Sequence, residues 1–444
     1  MRSGRPCHWC YAEANRSISI LVTLFILTTL APAVHAAEGT AEPAAIARDF
    51  IPDRRKDQFQ TSFGYAIFPY PYSLPGIGQG VALVGGAMNI ANTYTDAYAL
   101  IWGGDVEGLA AGIGDIHLIP QRLIFDGGYS AVSSGSFRSY SERGMNTAKD
   151  DYRLIGTKDM QYYGGRLTAT FFDRRFEMFG AWYQGAARLD SIRDKDGSII
   201  VEAKDASREW GSTTLVGTRI DLTDDYADPR RGVRININGN WSPPHNSAAN
   251  SYVMNYDVTA FAPIGKRSTW AFNFLRSDAV VTRKGETDPA KLQDQQGVNC
   301  NDASLSAQEQ EYCAEVFKAA AAANAYGTAT SLGGFGRLRS YSQGRYSGAH
   351  TLFFGSEIRW NLTDESTPFN IFVMKDIRTA FQLAAFFETG STADLRRDLG
   401  STWRNSYGVG ARMITASGVV FRADFATGHE GFEPNIWIAY PWEM

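Results

Sequence analysis

An arginine on a glycine-rich arm is the strongest candidate for chemistry in this 444-residue chain. Arg339 follows the pair Gly333 and Gly334 and is followed by Ser340 and Tyr341. A guanidinium is always charged, and its planar fork of N–H donors matches the geometry of a carboxylate. The segment therefore predicts ion pairing with an acid elsewhere in the chain. The alternative is an ordinary, solvated loop arginine.

The sequence offers little support for catalysis or metal binding. The six histidines form no HxxxH or HExxH pair, and no G-x-S-x-G elbow occurs. The glycine-rich pieces follow no phosphate-loop pattern, and the acids are scattered. We therefore expect no enzyme, no cofactor and no metal, with a hydrolase as a remote alternative. The net charge of −4 argues against a nucleic-acid partner.

The N-terminus has the pattern of an export signal. Basic residues such as Arg2 and Arg16 precede the apolar run Ile18 to Leu30, and small residues follow up to Ala36. The run is shorter than the roughly 20 apolar residues that a membrane-spanning helix needs. We predict a signal peptide over residues 1–36, with an uncleaved anchor as the alternative. Because no later run reaches spanning length, any later membrane crossing must be by strands.

Two of the four cysteines remain after cleavage of the signal. Cys300 and Cys313 form an even pair in an exported chain, which favours a disulfide over free thiols. Between them, Ser306 to Glu309 has the form of a capping box and predicts a short helix in an outer loop. Two interpretations of this helix stay open, a lid with no partner and a receptor role.

Alternation of apolar and polar residues is the main structural signal. In residues 233–241 the odd positions are apolar except for a glycine, and the even ones are Arg or Asn. In residues 351–362, Leu352, Phe354, Ile358 and Trp360 share one face, and polar residues share the other. Such a period of two is typical of barrel strands that face lipid on one side and the lumen on the other.

About fifteen strand candidates follow from this pattern. A barrel of even strand number requires one more, in residues 63–72 or 134–160, and predicts an all-β, transmembrane antiparallel barrel of about 16 strands. Turns alternate between tight ones and long polar ones such as residues 284–348. The further candidate strands are residues 79–91, 95–104, 107–119, 121–133, 160–173, 175–190, 209–223, 250–263, 267–283, 378–390, 403–415, 421–425 and 436–442.

The glycine-flanked arginine and the strand that follows it resemble a known family. Residues 333–341, followed by a strand carrying Gly355-Ser356-Glu357, resemble the sixth outer loop and the next strand of the outer-membrane assembly superfamily of BamA, TamA and the bacterial surface antigens. The resemblance covers residues 79–444. It implies that the loop folds back into the lumen. There Arg339 would pair with Glu388 first and Glu357 second, in a lock that includes Gly334 and Tyr341. It also implies a glycine where this chain has Ser340, so a positive φ there would strain the serine.

Other segments match the same family in order. Asp228, Arg231 and Gly232 resemble a turn motif between two strands, and residues 386–390 resemble a strand end that carries an acid. The last strand is similar too, with four residues expected to point outward: Ile436, Ile438, Tyr440 and Trp442.

The resemblance also implies the organisation and the function. We expect a short periplasmic segment over residues 37–75, too short for a POTRA repeat, and a barrel over residues 76–444. We expect the seam between the first and last strands to join residues 79–91 to residues 434–442. The implied function is insertion or translocation of protein or lipid in the Gram-negative outer membrane, by a monomer that contacts lipopolysaccharide and uses a separate periplasmic partner.

Two alternatives to an assembly function stay open, a structural surface barrel and a passive porin-like channel. In the channel, charged residues of the lumen would set the ion preference: Arg219, Asp221, Arg234, Arg359, Arg412, Arg422 and Asp424.

Overall fold

The structure, a computed structural model, describes residues 63–363, 368–371, 373–415 and 420–442. The two α-helices of these residues are α1 (Pro289–Gln295) and α2 (Ala307–Tyr326), and a short 3-10 helix spans Arg396–Asp398. None of these described helices is long and apolar enough to cross a membrane. The strands are β1 (Gly64–Leu74), β2 (Gly78–Ile90), β3 (Thr95–Gly104), β4 (Glu107–Ile119), β5 (Leu123–Tyr140), β6 (Tyr152–Phe171), β7 (Phe176–Arg193), β8 (Ile199–Glu202), β9 (Arg208–Asp221), β10 (Gly232–Ser242), β11 (Asn250–Ile264), β12 (Ser268–Arg283), β13 (His350–Asn361), β14 (Pro368–Ile371), β15 (Met374–Ala393), β16 (Arg404–Thr415), β17 (Val420–Gly428) and β18 (Gly431–Ile438).

The strands close into an antiparallel barrel. Neighbours along the chain pair with each other, except that β8 and β14 are short hairpin arms, so that β7 pairs with β9 and β13 with β15. Closure comes from β1 and β18, through the register pair Ser73 and Ile436. Sixteen strands therefore line the barrel, as the alternation of the sequence predicts.

The outer surface of the barrel is apolar, and much of its inner surface is polar. In β13, Phe354 and Ile358 are 42% and 46% exposed, whereas Thr351 and Glu357 are fully buried. A barrel satisfies every backbone polar group between strands, so an apolar outer face can contact lipid. Exposed apolar side chains lie on most strands: Ile67, Val81, Ile101, Leu109, Leu167, Trp182, Val216, Ile237, Trp270, Phe354, Val409 and Phe425.

The first barrel strand begins earlier than we predicted. Residues 64–74 form β1 and pair with β2 along their whole length, so the missing sixteenth strand lies in the stretch 63–72. The barrel boundary at residue 76 is therefore wrong, and the seam joins β1, not β2, to the last strand. The aromatic and proline residues of β1 hide its alternation. The signal peptide and residues 37–62 lie outside the described residues.

The end of the chain also differs from the prediction. β18 ends at Ile438, and Ala439 (φ 146°) and Trp442 (φ 72°) have backbone conformations that break a strand. Tyr440 and Trp442 consequently turn away from lipid and are only 4% and 2% exposed. The outward placement of these two aromatic residues is wrong.

Candidate functional site: an ion cluster in the lumen

The long loop between β12 and β13 reaches the lumen through a tight turn. An isolated β-bridge joins Leu332 to Tyr346, and the backbone N–H of Gly334 donates to the carbonyl of Tyr341 (2.8 Å). Gly334 has a φ of 101°, and a Cβ there would lie 1.9 Å from the side-chain oxygen of Gln343. Only glycine fits this position. The turn points Arg339 at the barrel wall.

Arg339 contacts three carboxylates and is fully buried. Its Nε lies 2.9 Å from Glu388 Oε1, its Nη1 lies 2.7 Å from Asp424 Oδ2, and its Nη2 lies 3.1 Å from Glu357 Oε2. The structure therefore brings together Arg339, Glu388 and Glu357, and it adds Asp424. A solvated loop arginine does not fit this geometry.

Further contacts hold the arginine in place. The guanidinium carbon lies 3.4 Å from the ring centroid of Phe386, a distance that suits a cation–π interaction. The backbone N–H of Arg339 donates to the second oxygen of Glu388 (2.9 Å), and the hydroxyl of Tyr341 donates to the carbonyl of Asn405 (3.0 Å). The loop is thus bound through both its backbone and its side chains.

Ser340 carries no strain. The left-handed conformation next to Arg339 belongs to Leu338 (φ 52°), and Ser340 has no positive φ. The N–H of Ser340 donates to Ser406 Oγ (2.9 Å). The expected strain from replacing a glycine is therefore absent at this position.

Two of the three acids, Glu357 and Asp424, also bind arginines of the barrel wall. Glu357 pairs with Arg412 through two bonds (2.6 and 2.5 Å) and with Arg359 Nε (2.8 Å), and Asp424 pairs with Arg422 Nη1 (2.7 Å). Buried charges of this kind are stable only when they are paired and hydrogen-bonded. We refer to seven residues as the luminal ion cluster: Arg339, Glu357, Arg359, Glu388, Arg412, Arg422 and Asp424.

The C-terminal residues close this cluster from below. The indole N–H of Trp442 donates to Glu388 Oε1 (2.9 Å), and the carbonyl of Trp442 accepts from Arg337 Nη2 (2.8 Å). The hydroxyl of Tyr440 donates to Asp228 Oδ1 (2.7 Å). The end of the chain therefore contacts both the loop and the turn between β9 and β10.

That turn contains the motif predicted from the sequence. Asp228 is buried, whereas Arg231 is exposed and uses its backbone N–H to donate to Asp224 Oδ1 (2.9 Å). Gly232 has a φ of 111°, and a Cβ there would lie 2.2 Å from the carbonyl oxygen of Leu222. Asp228 and Gly232 thus have structural roles in the floor of the barrel, and the side chain of Arg231 lies at the surface.

A second arginine anchors the loop near the outer mouth. The buried Arg345 pairs with Glu430 in the turn between β17 and β18, at 2.7 to 3.0 Å, and also donates to Thr147. Burial would lower the pKa of Arg345, but the bonds to Glu430 outweigh it and raise the pKa above the usual value. Arg345 therefore stays charged and holds the loop at a second point.

The two loop helices lie over the outer ends of β6, β7 and β8. Cys300 and Cys313 form the predicted disulfide, which is confirmed, with Cα atoms 5.4 Å apart. Arg153 of β6 pairs with Glu315 of α2 (2.7 Å), and its guanidinium lies over the ring of Tyr312. An apolar cluster fixes the helices to the strands: Ile155, Ile192, Ile200, Leu292, Val298, Phe317 and Ala321. This arrangement favours the lid interpretation of α2.

Removal of the disulfide is expected to loosen the lid and leave the barrel folded. A disulfide that closes a loop of about 15 residues stabilises by about 3 kcal/mol, and Cys300 and Cys313 are 13 residues apart. In the Cys300→Ser, Cys313→Ser variant we expect faster proteolysis of residues 284–330 and unchanged thermal unfolding of the barrel. Equal proteolysis of variant and wild type under oxidising conditions would contradict the prediction.

Four members of the cluster were not assigned to the lock from the sequence. The sequence places them only among the charges that would line a channel: Arg359, Arg412, Arg422 and Asp424. These residues lie on the polar, inward face of strands in which apolar and polar residues alternate. Because a buried arginine requires a nearby acid, this placement could have indicated that they pair with each other. The role of Trp442 had no such signal, since it depends on the break in β18.

Comparisons with known proteins give a likeness of fold. No family model matches the chain, and no curated protein matches its sequence. BamA from Haemophilus ducreyi lacking POTRA domains 1–3 is 10% identical, with a TM-score of 0.44 over 85% of this chain and 69% of that chain. CdiB from Escherichia coli is 14% identical, with a TM-score of 0.47 over 85% and 61%. OprD from Pseudomonas aeruginosa is 11% identical, with a TM-score of 0.30 over 88% and 97%.

The chain thus spans less than two thirds of the CdiB structure. At these identities and TM-scores the likeness carries no argument about the activity of this chain. The apolar outer face and the closed sheet of sixteen strands decide the class. The protein is an outer-membrane β-barrel. Within the described ranges, no group of three or more His, Cys, Asp or Glu side chains is placed to hold a metal ion.

Proposed function

We propose that this barrel inserts or translocates protein or lipid at the outer membrane. The observation that carries the proposal is the seam between β1 and β18. Among the described residues these strands share one register pair, whereas β1 and β2 share eleven and β17 and β18 share eight. A strand edge that shares so short a backbone ladder with its neighbour can exchange that pairing for an incoming strand.

The contents of the lumen support the same proposal. The loop is bound by Arg339 at the wall and by Arg345 at the outer mouth, and the C-terminal residues lie beneath it. A passive channel requires an open passage along the axis. A loop that buried ion pairs hold in the lumen is better suited to a barrel that inserts or translocates its client between β1 and β18.

A porin-like channel remains the second candidate because one side of the barrel holds a cavity. It has a volume of about 640 Å³ and lies along β5, β6, β7 and β9, with Ser130, Tyr162, Tyr183 and Thr213 in its lining. High, steady conductance of the wild-type protein in planar bilayers would favour the channel. Low conductance would favour the insertion or translocation function.

Depletion of the protein tests the proposed function directly. We expect depletion to lower the outer-membrane level of a subset of proteins, or to change the surface lipid. The measurement is quantitative proteomics of isolated outer membranes with lipopolysaccharide analysis, compared with re-expression of the wild type. If neither proteins nor lipid change, an insertion or translocation role is untenable.

The proposal includes several further points. Recruitment of a client would fall to a separate periplasmic protein. The barrel would act as a non-enzymatic monomer in contact with outer-membrane lipid and lipopolysaccharide. Co-purification from crosslinked cells, followed by mass spectrometry, would identify the periplasmic partner.

A further inference from the structure

The lower edge of β1 extends beyond the last strand. The single register pair of the seam is Ser73 with Ile436, and β18 ends two residues later, at Ile438. β1 continues from Ser73 to Gly64, towards the periplasmic end of the barrel. Most of this edge of β1 therefore lies beyond the reach of β18.

Another part of the same chain covers that edge. β15 is 20 residues long, and its pairing with β16 begins only at Thr379. The preceding residues pair with β14 on one side and with β1 on the other, where Tyr65 lies opposite Lys375 and Ala66 opposite Met374. The N–H of Ile67 also donates to the carbonyl of Val373 (2.9 Å). Residues 373–375 thus act as a short strand added to β1.

Between these two short pairings, side chains of β1 contact β17 and β18. The hydroxyl of Tyr70 lies 2.9 Å from the carbonyl oxygens of both Arg422 and Trp437, on β17 and β18. The ring of Phe421 lies 5.1 Å from that of Phe68 and 5.3 Å from that of Tyr70. β1 therefore contacts the last two strands mainly through aromatic rings and the hydroxyls of Tyr70 and Ser73, in place of a long backbone ladder.

We propose that residues 373–375 compete with an incoming strand for the edge of β1. These residues must release the edge before an extended polypeptide can pair with it. The inference rests on the proposed function, because it assigns a regulator to the same seam. A covered edge avoids unwanted strand addition. A cover only three residues long is held by few hydrogen bonds, each with a net value of about 1 kcal/mol. A longer strand of a partner protein would make more bonds and displace it.

One substitution weakens the cover selectively. Successive residues of a strand direct their N–H groups to opposite neighbours. Since Val373 bonds to β1, the N–H of Lys375 also faces β1, and Met374 faces β14. Lys375→Pro removes that donor, whereas Lys375→Ala is the matched control that keeps it.

The test uses the purified full-length barrel in detergent and a synthetic peptide copying residues 371–379, with cysteine in place of Met374. Capture of the peptide by Ala66→Cys through a disulfide reports strand addition to β1. We expect at least threefold more capture in the Lys375→Pro background than in the Lys375→Ala background. Equal capture in the two backgrounds would overturn the proposal.

A tethered variant provides a second test that does not depend on folding of the proline variant. Capture is then read at a different β1 position, with cysteine replacing Tyr65 and the peptide cysteine replacing Lys375, the other register pair of β1 and β15. The variant with this capture cysteine also receives Ala66→Cys and Met374→Cys. Oxidation of these two cysteines to a disulfide, the seam tether, holds residues 373–375 on β1. The control tether joins Leu83→Cys to Ile101→Cys, a register pair away from the seam. We expect the seam tether to abolish capture and the control tether to leave it unchanged. Capture through the oxidised seam tether would refute the competitor role. Because the assay contains no client, its failure is distinct from failure of the depletion experiment.

Discussion

Arg339→Ala is expected to release the loop from the lumen and to lower the stability of the folded barrel by about 3–5 kcal/mol, the usual effect of breaking a buried ion pair. The substitution leaves Glu388 without its arginine, although Glu357 and Asp424 keep partners on the wall. The measurements are unfolding in urea, followed by gel mobility, and conductance in planar bilayers. We expect an earlier unfolding midpoint and a higher conductance.

Two controls separate the ion cluster from a general effect of losing an arginine. The side chain of Arg396 is 74% exposed, and its nearest acid is 3.8 Å away, so Arg396→Ala should change neither measurement. Arg339→Lys keeps the charge but lacks the fork that contacts three acids, so it should fall between alanine and wild type. If Arg339→Ala unfolds and conducts like the wild type, the loop is held by other contacts.

The strands could be predicted because their signal is local. A residue that faces lipid must be apolar whatever its distant neighbours are, so the alternation in residues 233–241 and 351–362 is sufficient. The start of the barrel at β1 could not be predicted in this way, because the alternation of β1 is weak. β1 contains Pro69, Pro71 and three tyrosines, and its inner face packs partly on other strands, which weakens its alternation.

The cluster could be predicted only in part because it is long-range. Arg339 and Glu388 could be matched through the family resemblance. The addition of Asp424 depends on which inward positions of β15 and β17, on either side of β16, come within reach of the same guanidinium. The inward turn of Trp442 depends on a backbone break at Ala439, which no residue pattern announces.

Glu357 is expected to be the most sensitive acid of the cluster. It accepts from Arg339, Arg359 and Arg412, whereas Glu388 pairs with Arg339 alone among the arginines of the cluster. Glu357→Gln removes one of three negative charges that face four buried arginines. Because unpaired buried charges are costly, the excess positive charge should prevent stable closure of the barrel.

The comparison of Glu357→Gln with Glu388→Gln tests this ranking, since both changes keep the size of the side chain. We expect little or no folded barrel for Glu357→Gln in outer-membrane fractions, and a folded but less stable barrel for Glu388→Gln, measured by heat-dependent gel mobility. Adding Arg412→Met to Glu357→Gln removes one of the stranded cations and should restore part of the folded fraction. A folded fraction for Glu357→Gln equal to or above that for Glu388→Gln would show that charge balance in the lumen does not control folding.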